Sequence, residues 1–253
     1  MIKKVSLLLT VILVTVLAAC ASTRPVPPLD LASQLPDVAA GYVTTRKHEH
    51  SEKYQYHEKT HPTEKGKTEP ETSVVNWHLF RQQNRIDIDN ITAHTGETWL
   101  RNGKTLVMRQ LFHDDRKGVE YLMDDFAVLG MQPSWQQQAL LFDPQVLQQL
   151  PEVGTEWVDG HPVRRYRGTV DGQQFDVQWL VDLNMPYAIV RTHADEQEVT
   201  QLQAVYPLAQ SPWQYNNGED YELIDYADLG DRERDPFVLK IQSQLPGGNV
   251  HHH

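Results

Sequence analysis

The residues best suited by type to chemistry lie early in the chain. His57-Glu58-Lys59-Thr60-His61 fits H-E-x-x-H, a spacing that on a helix sets two zinc-binding imidazoles one turn apart with a glutamate base between them. That geometry needs a helix. Pro62 follows at once and biases His61 away from helical backbone, while Tyr54-Gln55-Tyr56 alternates like a strand. Glu64, Glu69 and Glu71 stand too near to supply a third ligand from a following helix. A second arrangement puts His48 and His50 on one strand face and His57 or His61 on a partner strand, offering imidazoles to Zn²⁺, Cu²⁺ or Ni²⁺. A polar sheet edge that resists pairing accounts for the same residues without a metal, and is the expectation here. Gly96 and Gly103-Lys104-Thr105 suggest a phosphate loop, but six residues separate the glycines instead of four, and Asn102-Gly103 reads as a hairpin turn. Asp225, Asp228, Asp231 and Asp235 are spaced three, three and four, unlike the alternate ligands of a Ca²⁺ loop, so helix capping and pairing with arginine explain them. There is no G-x-S-x-G, no C-x-x-C and no dinucleotide fingerprint. No catalytic residue, metal or cofactor is expected, and the terminal His251-His252-His253 carries no argument.

The most informative single residue is Cys20. Lys3 and Lys4 precede a short apolar run, and Leu17-Ala18-Ala19-Cys20 follows, giving a secretory signal too short for a membrane span of about 20 residues. Leu-Ala-Ala-Cys resembles a bacterial lipobox, which implies cleavage before Cys20 and acylation of its thiol. Cys20 is the one cysteine in 253 residues, so the mature chain can form no internal disulfide. A triacylated cysteine holds to a bilayer far more firmly than a single acyl chain does. Ala21 stands where a retention signal for the inner membrane would carry Asp, so the resemblance implies the outer membrane, with the chain facing the periplasm.

Composition limits what such a protein can do. With 40% hydrophobic residues and a formal charge of −11, the chain can bury a core but lacks the concentrated positive footprint that nucleic acid or an anionic bilayer requires. No nucleic-acid partner is expected.

Residues 20–40 contain Pro25, Pro27, Pro28 and Pro36 and read as a tether holding the domain clear of the lipid. Residues 42–72 read as a polar edge hairpin with a long loop. Beyond them, Val75, Trp77 and Leu79, then Ile86 and Ile88, then Leu106, Met108 and Phe112 recur with period two, the signature of half-buried strands. Asn102-Gly103, Asp159-Gly160 and Asp171-Gly172 supply hairpin turns. Ser134, Asp143-Pro144 and Asp235-Pro236 are helix starts. The expected architecture is mainly β (α+β): a bent antiparallel sheet or incomplete β-barrel over 41–210. A helical insertion near 124–150 supplies short helices that close its concave face, and a C-terminal appendage with a short helix fills 211–253.

This order, with Val158-Asp159-Gly160-His161-Pro162-Val163-Arg164-Arg165-Tyr166, Gln178-Trp179-Leu180-Val181-Asp182 and Met185-Pro186 within residues 75–206, resembles the periplasmic lipoprotein carrier and receptor (LolA/LolB-like) superfamily. The resemblance implies an incomplete barrel with an apolar concavity, and it covers neither the His/Glu-rich stretch near the N-terminus nor the Asp-rich C-terminal part. Of the six tryptophans, Trp77, Trp99 and Trp179 are the candidates to line that cavity, since aromatic and aliphatic walls suit acyl chains. The function expected is binding of a hydrophobic ligand, an acyl chain or lipoprotein, or of an envelope partner, by a non-enzymatic protein. Metal binding through residues 48–61 is the alternative, and a zinc hydrolase a more remote one.

Overall fold

A computed structural model describes residues 24–48 and 71–246. They form one sheet of twelve strands: β1 (Val38–His48), β2 (Glu71–Gln82), β3 (Arg85–Asn90), β4 (Thr95–Asn102), β5 (Thr105–Phe112), β6 (Lys117–Tyr121), β7 (Glu152–Val158), β8 (His161–Val170), β9 (Gln173–Leu180), β10 (Met185–His193), β11 (Glu196–Pro207) and β12 (Glu222–Asp225). Their order across the sheet is β12-β6-β5-β4-β3-β2-β1-β11-β10-β9-β8-β7. Two antiparallel meanders therefore meet at β1, which pairs with β2 on one side and β11 on the other. The sheet is open, with β12 and β7 as its outermost strands. The central place of β1 corrects the expectation of an edge hairpin. Ala39, Ala40, Tyr42 and Thr44 are buried, and the polar residues that suggested an edge fall mostly in 49–70, outside the described residues.

The expected turns are where the meander bends. Asn102-Gly103 joins β4 to β5, Asp159-Gly160 joins β7 to β8 and Asp171-Gly172 joins β8 to β9. Gly103 at φ 61° and Gly160 at φ 85° hold the left-handed backbone that tight hairpins require.

Alternation gives the sheet one face of Tyr42, Leu79, Ile86, Trp99, Met108, Val177 and Trp179, all buried. Helices α1 (Met123–Val128), α2 (Trp135–Leu140), α3 (Pro144–Gln149) and α4 (Pro236–Ile241) cover this face. Ser134, Asp143 and Asp235 cap α2, α3 and α4 through side-chain oxygens, as their sequence positions predict. Two apolar clusters result. One joins Trp99, Met108 and Tyr121 to Phe126 of α1 and Phe237 of α4; the other joins Tyr166, Phe175 and Trp179 to Leu140, Phe142 and Leu147.

Residues 24–36 do not stand clear of the domain. Leu29, Leu31 and Leu35 pack into the clusters. Arg81, 1% exposed, gathers the carbonyls of Pro36, Ala139, Leu183 and Asn184, so one guanidinium ties this segment to α2 and to the β9–β10 turn. Burial pulls its pKa down to about 10, and Tyr42 and Asp37 oppose the shift.

The C-terminal part wraps the β6 edge from one face to the other. Trp213 stacks on His78 and Tyr215 lies against Phe80 on the face away from the helices. β12 then pairs with β6 in parallel, and α4 returns to the helix-bearing face. The wrap covers an edge that would otherwise offer unpaired backbone groups.

Candidate functional site

The candidate site is the part of the helix-bearing face that the helices leave unfilled. Register places Trp77 opposite Tyr42, and their rings stack at 4.5 Å between centroids. The Tyr42 hydroxyl donates to the carbonyl of Pro186 at 2.7 Å, and the Trp77 indole N–H donates to Thr44 Oγ1 at 3.0 Å. Thr44 also meets Thr200 across β1 and β11 at 2.9 Å. With its polar atom satisfied, Trp77 presents an apolar ring to a recess of about 330 Å³, whose walls include Val75, Ile88, Leu141, Pro186 and Ile189. This is within the size range of small-ligand sites, about 300–1,000 Å³.

Leu141 is conformationally unusual. It ends α2 at φ 57°, a region that costs a non-glycine residue about 1 kcal/mol. Its side chain is a wall shared by this recess and a neighbouring one of about 390 Å³ bordered by Phe142, Val146 and Phe175.

Charge is confined to one end. Glu198 Oε2 accepts from Arg46 Nε at 2.6 Å, and its Oε1 accepts from Arg191 Nη1 at 2.7 Å. Burial opposes charge on Glu198, but the two guanidiniums outweigh it and hold the carboxyl below its ordinary range. Arg191 also lies over the Phe142 ring at 5.6 Å. It borders the recess, its neighbour and a third hollow of about 340 Å³ beside Gln173 and His193. The result is a groove with an apolar floor and an ionic end built from β1, β10 and β11.

Of the three tryptophans expected to share one wall, the structure places Trp77 alone in the groove. Trp99 is 2% exposed against Phe126, and Trp179 is 0% exposed beside Phe142 with its N–H toward Asn184. Both are core, because helices fill the space in front of them. Cys20, His50, His57 and His61 lie outside the described residues. His48 ends β1 half-exposed, 3.9 Å from Glu196, and among the described residues no cluster of His, Cys, Asp or Glu is arranged to hold a metal. Asp235 caps α4 at 2.8 Å.

The sequence reading missed Thr44, Arg46, Ile189, Arg191 and Glu198. Arg46 and Glu198 stand 152 positions apart, and only the β1–β11 pairing joins them. It also missed a polar cluster on the opposite face, where Thr98 donates to Asp87 at 2.7 Å and meets the Tyr215 hydroxyl at 2.9 Å. His113 meets the Tyr221 hydroxyl at 3.1 Å and lies 3.4 Å from Asp89. The C-terminal segment covers this cluster and supplies its tyrosines.

No protein-family model matches the chain, and a search of curated proteins finds no match. Among solved structures, PNGF-II in two crystal forms aligns at TM-scores of 0.35 and 0.34 with 10% identity. These alignments cover 78% of this chain and 33% of PNGF-II, so the chain spans about a third of that protein's length. At that level the similarity defines neither fold family nor function.

Proposed function

We propose that the chain is a lipoprotein anchored through Cys20 in the outer membrane and facing the periplasm, and that its sheet acts as a half-barrel holding a hydrophobic ligand. The ligand class is an acyl chain, free or carried by a lipoprotein. The observation that carries this reading is the groove under Trp77. Where helix side chains fill the face before Trp99 and Trp179, about 330 Å³ remains open before Trp77, and its apolar walls are Val75, Ile88, Leu141 and Ile189. Apolar surface left open beside a filled core favours an apolar occupant, since burial is worth about 25 cal/mol per Å². The Arg46–Glu198–Arg191 end closes the groove with groups already paired to one another.

Two measurements test the two parts separately. A fluorescent fatty-acid probe should bind the soluble mature domain, quench tryptophan emission and be displaced by phospholipid. Trp77→Ala should weaken the probe at least tenfold, about 1.4 kcal/mol. Absence of probe binding would leave a protein-binding surface as the better account. For the anchor, Cys20→Ser should remain an unprocessed precursor, and incorporation of labelled palmitate into that variant would overturn the lipobox reading.

A further inference from the structure

The way residues 24–36 lie on the domain fixes how an anchored chain must stand. The Trp157 indole donates to the carbonyl of Arg24 at 2.8 Å, and the Arg24 guanidinium covers the Trp157 ring at 4.4 Å. Arg164 Nε donates to the carbonyl of Pro27 at 2.8 Å. Asn184 Nδ2 donates to the carbonyl of Asp30 at 2.6 Å, Gln136 to that of Leu31 at 3.1 Å, and Arg81 to that of Pro36 at 3.3 Å. A free proline-rich tether from Cys20 to Pro36 would span about 50 Å. With everything from Arg24 onward docked, four Cα steps remain between Cys20 and the domain, at most about 14 Å. A domain of roughly 200 residues has a radius of gyration of about 16 Å. The leash is shorter than the body it holds, so that body cannot turn freely over a bilayer.

The topology then says which end is held. Hairpins alternate between two rims of the sheet. One rim carries residues 83–84, 103–104, 159–160 and 181–184, together with the start of β1 and the end of β6. The docked segment reaches this rim through Trp157, Asn184 and Arg81. The same rim bears α1 and the turn after it, where Leu122 (46%), Met123 (41%), Val128 (80%) and Met131 (36%) are exposed within ten residues. These two observations are independent: one is chain length and hydrogen bonding, the other a run of apolar side chains that the described residues leave exposed.

Resting on the Cys20 anchor proposed above, the geometry points to a membrane-contact surface: this rim lies against the bilayer, and Leu122, Met123, Val128 and Met131 enter its interface. The contact is apolar, because the charges of α1 are Asp124 and Asp125, which anionic headgroups would repel. Arg46 and Arg191 sit toward the opposite strand ends, so the ionic end of the groove faces away from the lipid.

Acylation makes the test direct, since an acylated Cys20 leaves no reactive thiol and a nitroxide can be placed at one engineered cysteine. Acylated Val128→Cys and Met131→Cys report the near rim, and Asp114→Cys, in the β5–β6 turn, the far rim. Each is reconstituted into phosphatidylcholine vesicles after thermal melts show parental folding. The expected result is that labels at 128 and 131 collide with lipid-dissolved oxygen at least threefold more than the label at 114, which follows an aqueous nickel chelate, with no change on adding salt. Labels at 128 and 131 that remain aqueous would overturn the orientation and leave the α1 patch to a protein partner. Protein that does not float with the vesicles would overturn the anchor instead.

Discussion

Trp77 and Trp179 are the same residue type on the same face of one sheet, yet they occupy different physical situations. In front of Trp179 stand Phe142 and Leu140, and no space is left. In front of Trp77 stands Leu141 in left-handed backbone, and a recess remains. The sheet supplies the lining in both halves, and the helices decide which half is core and which is site. An aromatic at a strand position therefore reveals which face it is on, but whether it is a wall or a brick depends on segments 37 to 64 positions away.

The sharpest way to break this comparison is to remove each ring. Trp179→Ala should cost about 3–5 kcal/mol, measured by urea unfolding, with little effect on a probe bound at Trp77. Trp77→Ala should cost less, about 1–2 kcal/mol, while the probe is lost. Equal stability losses would mean that the recess is core. Titration separates the halves next. Glu198 is held below the ordinary carboxyl range, so its contribution is full above about pH 4.5 and disappears as pH falls through its folded value. Glu97, beside the buried Trp99, is pushed up by burial, which the Trp99 hydrogen bond only partly offsets. Its sign is opposite: stability is lost as pH rises through its folded value. Glu198→Gln should lower Tm at pH 7 and converge on the parent as pH falls through the folded value of Glu198, whereas Glu97→Gln should raise Tm at pH 7. The smallest effect concerns the histidines. Changing His48, His50, His57 and His61 together to Gln should shift stability by no more than about 0.5 kcal/mol, with Zn²⁺ leaving the parent unchanged. A specific site would add about 2.7 kcal/mol at a hundredfold excess over its Kd, a rise that the fourfold variant would abolish.

How much of this was legible follows from the range of each signal. Period-two runs and Asp-Gly or Asn-Gly turns are local, and the strands and hairpins of 75–206 follow from them. Ser134, Asp143 and Asp235 announced their helices for the same reason. Residues 24–36 misled because four prolines suggest a spacer, whereas Leu29, Leu31 and Leu35 are what the domain buries. The centrality of β1, the parallel β12, the Arg81 hub and the Arg46–Glu198 pair all depend on partners far along the chain, which composition and periodicity do not encode. Of the three tryptophans the sequence singled out, only Trp77 borders the recess.

The position of β1 also governs the order in which the molecule can be completed. Thr44 meets Thr200, 156 positions later, and the β1–β11 ladder runs from Val38 opposite Pro207 to His48 opposite Glu196. As the chain emerges N-terminus first, β1 can zip onto β2, and the first meander can follow by short-range contacts. The other side of β1 stays bare until almost the whole chain has appeared, because long-range pairing carries its loop-closure cost before any return. During that interval Val38–His48 offers a row of unpaired amides and carbonyls beside Val38, Ala40 and Tyr42, the kind of exposed strand that invites pairing between chains. The joint between the two meanders is thus a seam that closes late, at a stage when a nascent copy needs isolation from its neighbours.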